Sequence, residues 1–160
     1  WQFPEKLIPL SIIKGLNKEP IPLYGDGQNI RDWIYVEDHI DALILCAIKG
    51  KIGETYCIGA SNEFKNIEIL EFICNELDKR VPYVKSYSSL ISKVKDRPGH
   101  DYRYAINPEK IKDELSWEPR HKFEDALSKT IDWYVNNLDW CEKISKQAKY
   151  AGERIGISNL

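Results

Sequence analysis

The sequence predicts an α/β fold, and three observations carry that expectation. Apolar residues recur at helical spacing in four separate segments, short strand-like runs lie between those segments, and no repeat or low-complexity linker interrupts the alternation. At 160 residues with 42% hydrophobic side chains, the chain is long enough to bury a core of its own. Nothing marks an internal boundary, so residues 1–160 are expected to form one domain. Within it, residues 139–160 read as a loosely packed helical tail.

The first helix is expected over about Glu5–Asn17, with Ile8, Ile12, Ile13 and Leu16 on one face. Pro9 is tolerable there because the first helical turns have amides without intrahelical partners. From Pro20 to Asp38 the chain reads as strand, polar glycine turn, strand and helix start. Residues 37–49 show the clearest helical period, with Ile40, Leu43, Ile44, Ala47 and Ile48 at i, i+3, i+4, i+7 and i+8. Glu37 and Asp38 suit the helix's N-terminal dipole, and Gly50 and Gly53 bracket its end.

Thr55-Tyr56-Cys57-Ile58-Gly59 reads as a short buried strand. Residues from about Asn66 to Leu77 predict a further helix with Ile69, Phe72, Ile73 and Leu77 inward. Asn107-Pro108-Glu109 is a helix start of cap, proline and acid. Phe123, Ala126, Leu127, Thr130, Ile131, Tyr134 and Leu138 mark the last long amphipathic helix.

Charge and composition exclude several classes. A net charge of −2 argues against a general nucleic-acid or membrane-surface binder, so any anionic ligand must be held by a few placed arginines. The longest apolar run, Ala42–Ile48, is far too short to span a bilayer. The four cysteines, at 46, 57, 74 and 141, form no Cys-x-x-Cys pair, and no histidines sit at metal-ligand spacing. Reduced thiols in a cytoplasmic protein without a metal site is the reading these favour. His39 and His121 look structural.

Two segments carry chemistry. Asp96-Arg97-Pro98-Gly99-His100-Asp101 packs charge around a Pro-Gly pair, where the backbone should turn sharply. Arginine presents a rigid fork of donors matched to phosphate or carboxylate, so an anion-binding loop is one reading. A solvated turn tied by Asp-Arg pairs is the other. The second segment, Pro20–Asp38, holds Gly25-Asp26-Gly27-Gln28-Asn29-Ile30, which nearly spells a dinucleotide fingerprint. Ile30 stands at the third glycine position, and the β-rich Trp33-Ile34-Tyr35-Val36 follows where a helix must open. This segment is therefore rejected as a cofactor site.

The Arg-Asp-Trp-x-Tyr-Val-x-Asp-His run at 31–39, Lys6-Leu7-Ile8-Pro9 and the Asp-Arg-Pro-Gly-His-Asp loop come in an order that resembles one enzyme family. The chain is similar, from Gln2 to about Gly156, to the C-terminal part of the dTDP-glucose 4,6-dehydratases. These are extended short-chain dehydrogenase/reductases acting on nucleotide sugars.

The resemblance implies the substrate-binding part of an extended Rossmann-type enzyme, with the Rossmann domain itself absent. None of the nine tyrosines has a lysine four positions on, and the family's Thr-Asp-Glu set is missing. The catalytic residues and the NAD site are thus expected on a missing N-terminal Rossmann half, with no catalytic, cofactor or metal residue here. The complete enzyme would be an NAD-dependent lyase. It would oxidise C4 of the glucosyl unit, eliminate water across C5 and C6, and return the hydride to C6. The family's dimer helices lie in that absent half, so a homodimer is implied only at full length. Opening in mid-motif at Trp1-Gln2-Phe3-Pro4, the chain is expected to be a C-terminal fragment or half of a split enzyme.

For the dTDP-sugar, the resemblance implies Lys6 and Leu7 beside the nucleotide, and Pro22, Leu23 and Tyr24 packed on the thymine. Tyr24 could instead be a surface aromatic on a plain strand. Arg31 and Arg97 would pair with the diphosphate, although Arg31 could instead pair with Asp32 or Glu37. Asn66 would touch the nucleotide sugar, cap the following helix, or both. Asp96, Pro98, Gly99 and His100 would order the signature loop or reach the ligand. Cys57 and Ala60 stand where the family has Asn and Gly, and Phe64 replaces a common lysine. Ala60 questions whether the usual glycine backbone is kept there. The alternatives are another nucleotide-sugar epimerase, dehydratase or decarboxylase, and a non-catalytic nucleotide-binding module; a domain that normally packs on a Rossmann sheet should expose a large apolar patch when alone.

Overall fold

In the computed structural model, residues 2–147 are described. The order is α1 (Leu7–Leu16), β1 (Ile21–Tyr24), β2 (Ile30–Asp32), α2 (Val36–Lys49), β3 (Glu63–Lys65) and α3 (Asn66–Arg80). A 3-10 turn (Tyr87–Leu90) follows, then β4 (Ile91–Val94), β5 (Arg103–Tyr104), α4 (Glu109–Leu115), α5 (Phe123–Asn136) and α6 (Leu138–Gln147). The α/β expectation holds. Of the expected 139–160 tail, residues up to Gln147 form α6 and the remainder lies outside the described residues.

The strands form two small sheets. β1 and β4 pair in parallel, with Ile21 opposite Ile91 and Tyr24 opposite Val94. β2 is central in the other, antiparallel to β3 and parallel to β5. β3, β4 and β5 carry no period of their own in the sequence, being four residues or fewer. Their pairing is supplied by what they pack on.

The main core lies between α1, α3, α5 and β1. Ile12, Ile21, Ile69, Ile73, Leu77 and Ile131 are fully buried, the arrangement the helical periods predict for these elements. A Cβ on Gly15 of α1 would lie 2.9 Å from Leu77 Cδ1, so glycine lets α1 approach α3 closely. Phe64 of β3 stacks on Phe123 of α5 at 4.1 Å between ring centroids. Arg80 of α3 joins Asp132 of α5 at 2.6 Å and donates to Ser128 Oγ at 2.6 Å.

Two expectations are corrected, and one helix face lies open. The apolar stripe on α2 does not face inward: Val36, Ile40, Leu43, Ile44 and Ile48 are exposed, and the buried residues are Asp38 and Ala42. Ala42 packs with Ile111 and Trp117 in a second, smaller cluster beside α4. The helix thus carries apolar residues on two faces and finds a neighbour for one. Thr55–Gly59 is not a strand, because it pairs with no strand among the described residues. Leu138 opens α6 rather than closing α5, and is 41% exposed.

Local signals fared better. Pro108, not Asn107, holds the cap position of α4, so the helix begins one residue later than expected, and Asn107 Oδ1 accepts the Glu109 amide at 2.9 Å from just before the cap. Ala60 does not need a glycine conformation, because the positive φ of +55° falls on Ser61. Asp38 does more than serve the helix dipole. It accepts the Arg120 and His121 amides, each at 3.2 Å, and its Oδ1 lies 2.9 Å from His121 Nδ1. Burial by itself would raise this carboxyl, but these hydrogen bonds outweigh it and hold Asp38 below the ordinary carboxylate range.

Candidate functional site

A cleft of about 660 Å³ opens between α1, one face of β1 and β4, and the loop from Lys95 to Tyr102. Lys6, Leu7, Pro22, Tyr24, Arg31, Asn66, Arg97 and His100 all line it. Residues separated by up to 94 positions in sequence (Lys6 to His100) therefore share one wall-to-wall space.

Each element aims its residues by simple periodicity. Side chains alternate along β1, so Pro22 and Tyr24 face the cleft while Ile21 and Leu23 enter the core. Leu23 is 2% exposed, and its side chain is a core element rather than a cleft contact. On α1, Leu7, Leu10, Ser11 and Lys14 line the cleft at i, i+3, i+4 and i+7. Asn66 is the first residue of α3 and not its cap. Lys65 holds the cap position, with its amide donating to Glu68 Oε2 at 2.7 Å. The Asn66 side chain is left to the cleft.

Arg31 is the most constrained of these groups. It is 9% exposed and pairs with neither Asp32 nor Glu37. Its Nη1 donates to the Ile30 carbonyl at 2.6 Å and the Tyr102 carbonyl at 3.4 Å, and its Nη2 to the Asp101 carbonyl at 2.7 Å. The guanidinium also lies 4.1 Å from the centroid of Tyr104. A guanidinium has five N–H donors, so two remain beyond these three bonds. Asp32 instead accepts the Ala60 amide at 3.1 Å and the Asn62 amide at 2.8 Å.

The signature loop is ordered from within. Asp96 Oδ1 accepts the Arg97 amide at 2.8 Å and lies 2.6 Å from His100 Nδ1. The bond from His100 is the chief reason that the Asp96 carboxyl is held below its ordinary range. Gly25 makes room for this. It has φ +61°, and a Cβ there would come 3.0 Å from Asp96 Oδ2. Gly99 takes φ +65° in the expected turn. Asp96, Pro98 and Gly99 shape the loop and do not line the cleft, whereas the Arg97 guanidinium sits 5.6 Å from the Tyr24 ring centroid.

The sequence reading missed Glu5, Lys14, Trp33, Ser92, Val94 and Tyr104, which also line the cleft. Lys14 was legible from its helical spacing to Leu7. Ser92, Val94 and Tyr104 were not, because their strands leave no pattern. In charge, Lys6, Lys14, Arg31, Arg97 and His100 face Glu5. Glu5 pairs with Lys6 at 2.5 Å, and Lys14 with Glu19 at 2.8 Å. Neither the Arg31 nor the Arg97 guanidinium pairs with a carboxylate among the described residues. The arrangement suits an oxyanion held between two arginines, with a flat ring laid on Tyr24.

A family model described as GDP-mannose 4,6 dehydratase matches residues 1–130. The dTDP-glucose 4,6-dehydratase of Xanthomonas campestris pv. campestris is 48% identical over 160 residues, covering 99% of this chain and 45% of that protein. The chain thus spans less than half the length of the curated relatives it matches. The dTDP-glucose 4,6-dehydratase of Bacillus anthracis, solved in complex with NAD, superposes with a TM-score of 0.81 at 44% identity, over 90% of this chain and 43% of that one. DesIV of Streptomyces venezuelae, a dTDP-glucose 4,6-dehydratase solved with NAD and TYD bound, gives 0.83 at 38% identity over 90% and 42%. With four-fifths of its length inside the family model and the same fold in these structures, the chain belongs to the GDP-mannose 4,6 dehydratase family.

Proposed function

We propose that residues 1–160 form the nucleotide-sugar-binding domain of a dTDP-glucose 4,6-dehydratase, an NAD-dependent lyase converting dTDP-glucose to dTDP-4-dehydro-6-deoxyglucose and water. The observation that carries this is Arg31: a buried guanidinium with no carboxylate partner among the described residues, lining a cationic cleft beside Tyr24. A buried cation without a counter-charge is costly unless an anion completes it. Arg31 and Arg97 would hold the diphosphate, and Tyr24 and Pro22 the base. Binding energy from these remote groups positions the sugar for reaction elsewhere.

The described residues do not fit NAD. Gly25 and Gly27 turn β1 into β2, not into a helix, and a Cβ on Gly27 would meet Leu23 Cδ1 at 2.6 Å. Glycine there serves packing rather than a pyrophosphate. The cofactor and the catalytic residues are therefore assigned to the rest of the protein, a dinucleotide-binding α/β half. The exposed stripe on α2, with Ile44 52% and Ile48 74% exposed, suits docking on a parallel sheet. The unmatched length of the relatives supplies the occupant. No helix among the described residues is long and apolar enough to cross a membrane. We place the enzyme in the cytoplasm, which suits four free cysteines, one of them exposed.

Calorimetric titration with dTDP, with UDP as control, tests the reading. Saturable binding that prefers dTDP and weakens about ten- to a hundred-fold in Arg31→Ala and in Arg97→Ala is expected, since each charge-assisted bond is worth roughly 1.5–3 kcal/mol. Equal affinity for UDP would move the assignment to another nucleotide-sugar enzyme. Absence of binding by the folded chain would reject it.

A further inference from the structure

Asn29 holds the back of the cleft without lining it. It lies just before β2 and is 5% exposed. Its Nδ2 donates to the Asp101 carbonyl at 3.1 Å, across 72 residues of sequence. The same carbonyl accepts Arg31 Nη2 at 2.7 Å, so two buried side chains share one acceptor and fill both of its lone pairs. The main chain of Asn29 serves another wall. Its carbonyl accepts the Asn66 amide at 3.0 Å, while the Gly27 carbonyl accepts the Ile67 amide at 3.1 Å. Those two amides open α3 and have no intrahelical partner. One residue therefore touches both the element that carries Asn66 and the carbonyl that orients Arg31.

The support beneath Asn29 is stiff. The Gly25 amide donates to the Val94 carbonyl at 3.0 Å, the Gly27 amide to the Tyr24 carbonyl at 3.2 Å, and Asp26 Oδ1 accepts the Gln28 amide at 3.0 Å. A side chain mounted on a closed, hydrogen-bonded turn stays where the turn puts it. Arg31 is a long side chain whose direction is set by what it bonds. Nη1 uses both its hydrogens on the Ile30 and Tyr102 carbonyls, and Nη2 uses one on Asp101. The hydrogens left over are one on Nη2 and one on Nε. Moving the Asp101 carbonyl turns the guanidinium plane and carries those two hydrogens with it.

We propose that Asn29 is a positioning residue for nucleotide-sugar binding: by fixing the Asp101 carbonyl, its side-chain amide aims the two unused Arg31 hydrogens at the diphosphate. The inference rests on the nucleotide-binding reading and adds to it a residue that touches no ligand. Without the amide the Asp101 carbonyl keeps one donor, the loop end is freer to shift, and Arg31 follows it. A neutral hydrogen bond of this kind corresponds to an effect of about three- to tenfold, below that of removing Arg31 itself.

The test titrates the 160-residue chain with dTDP by calorimetry, and with thymidine, which has the same base and no phosphate, by ligand-observed NMR. Asn29→Ala should weaken dTDP binding about three- to tenfold and leave thymidine within about twofold. In an Arg31→Ala background it should change dTDP affinity by less than about twofold, because residues acting through one contact are not additive. Asn29→Ser carries the same comparisons should the alanine variant not fold; its hydroxyl sits one bond nearer the main chain and falls short of Asp101. Equal losses for dTDP and thymidine would overturn the proposal by showing the cleft wall loosened as a whole. Unchanged dTDP affinity, or a loss that persists in full without Arg31, would overturn it too. Failure of the unsubstituted chain to bind dTDP would instead defeat the nucleotide-binding reading, and this inference with it.

Discussion

Replacing Arg31 with lysine keeps a positive charge in the cleft and removes the planar fork that holds three carbonyl oxygens at once. The carbonyls of Asp101 and Tyr102 are reached across 70 residues of sequence, so this one side chain fastens the end of the signature loop to β2. A lysine ammonium is a single point on a flexible stem and can keep one of these bonds. With a short hydrogen bond to a charged group worth roughly 1.5–3 kcal/mol and the 3.4 Å bond worth little, losing one of the short bonds and the long one costs about 2–3 kcal/mol of stability. For a chain of this size that is a fall in Tm of roughly 5–10 °C.

The stacking on Tyr104 at 4.1 Å is lost as well. Thermal unfolding reads the stability. Hydrogen exchange at the Ile30 amide, which donates to the Tyr102 carbonyl at 2.8 Å, reads whether the loop has loosened. Nucleotide affinity should fall with it by about ten- to a hundred-fold. A variant that melts like the wild type and protects the Ile30 amide equally would refute the clamp. A variant that loses stability but binds nucleotide unchanged would refute Arg31 as a ligand group.

Four further outcomes are expected. Asp38→Asn should destabilise the chain by about 2–4 kcal/mol by urea unfolding, because a buried carboxylate accepting three hydrogen bonds is replaced by a group that also donates; a loss under about half a kcal/mol would count against it. Acid should unfold the protein through the same kind of group. Hydrogen bonds from Lys79 and Arg80 hold Glu76 at about 2, and Asp38 is also held low, so their stabilisation is complete above about pH 5 and lost as pH falls through these depressed values. A stability curve flat from pH 5 to 2 would contradict this. In native thiol labelling, exposed Cys57 should react first, while Cys74, pushed up to about 12 by burial, and Cys141, also raised by burial, stay protected until unfolding. Ile44→Asp on the exposed α2 stripe should leave stability and nucleotide affinity within about 0.5 kcal/mol. It should weaken association with a separately expressed dinucleotide-binding half by at least about tenfold, and unchanged association would remove α2 from that interface.

What the sequence determined by itself was local. The periods of α1, α3 and α5 predicted their positions and inward faces, because burial of an apolar face leaves a 3.6-residue record. The Pro98-Gly99 turn and the helix start at Asn107-Pro108-Glu109, to within a residue, were legible because special backbone geometry demands special residues. Motif order, through the family resemblance, also brought out Lys6, Tyr24, Arg31, Arg97 and His100 before any geometry was known.

Tertiary structure decided the rest. The strands β3, β4 and β5 exist only through their partners, since two to four residues carry no period. Leu23 and Tyr24 are neighbours in sequence and part at the cleft because β1 alternates its sides. The α2 stripe has a strong helical period yet lies in the open, because periodicity records that a face is to be covered, not by what. Arg31 showed the limit most plainly. The sequence offered it two nearby carboxylates, and the fold gave it the carbonyls of residues 101 and 102. Which groups meet across such separations is set by how the helices pack, and no local pattern encodes it.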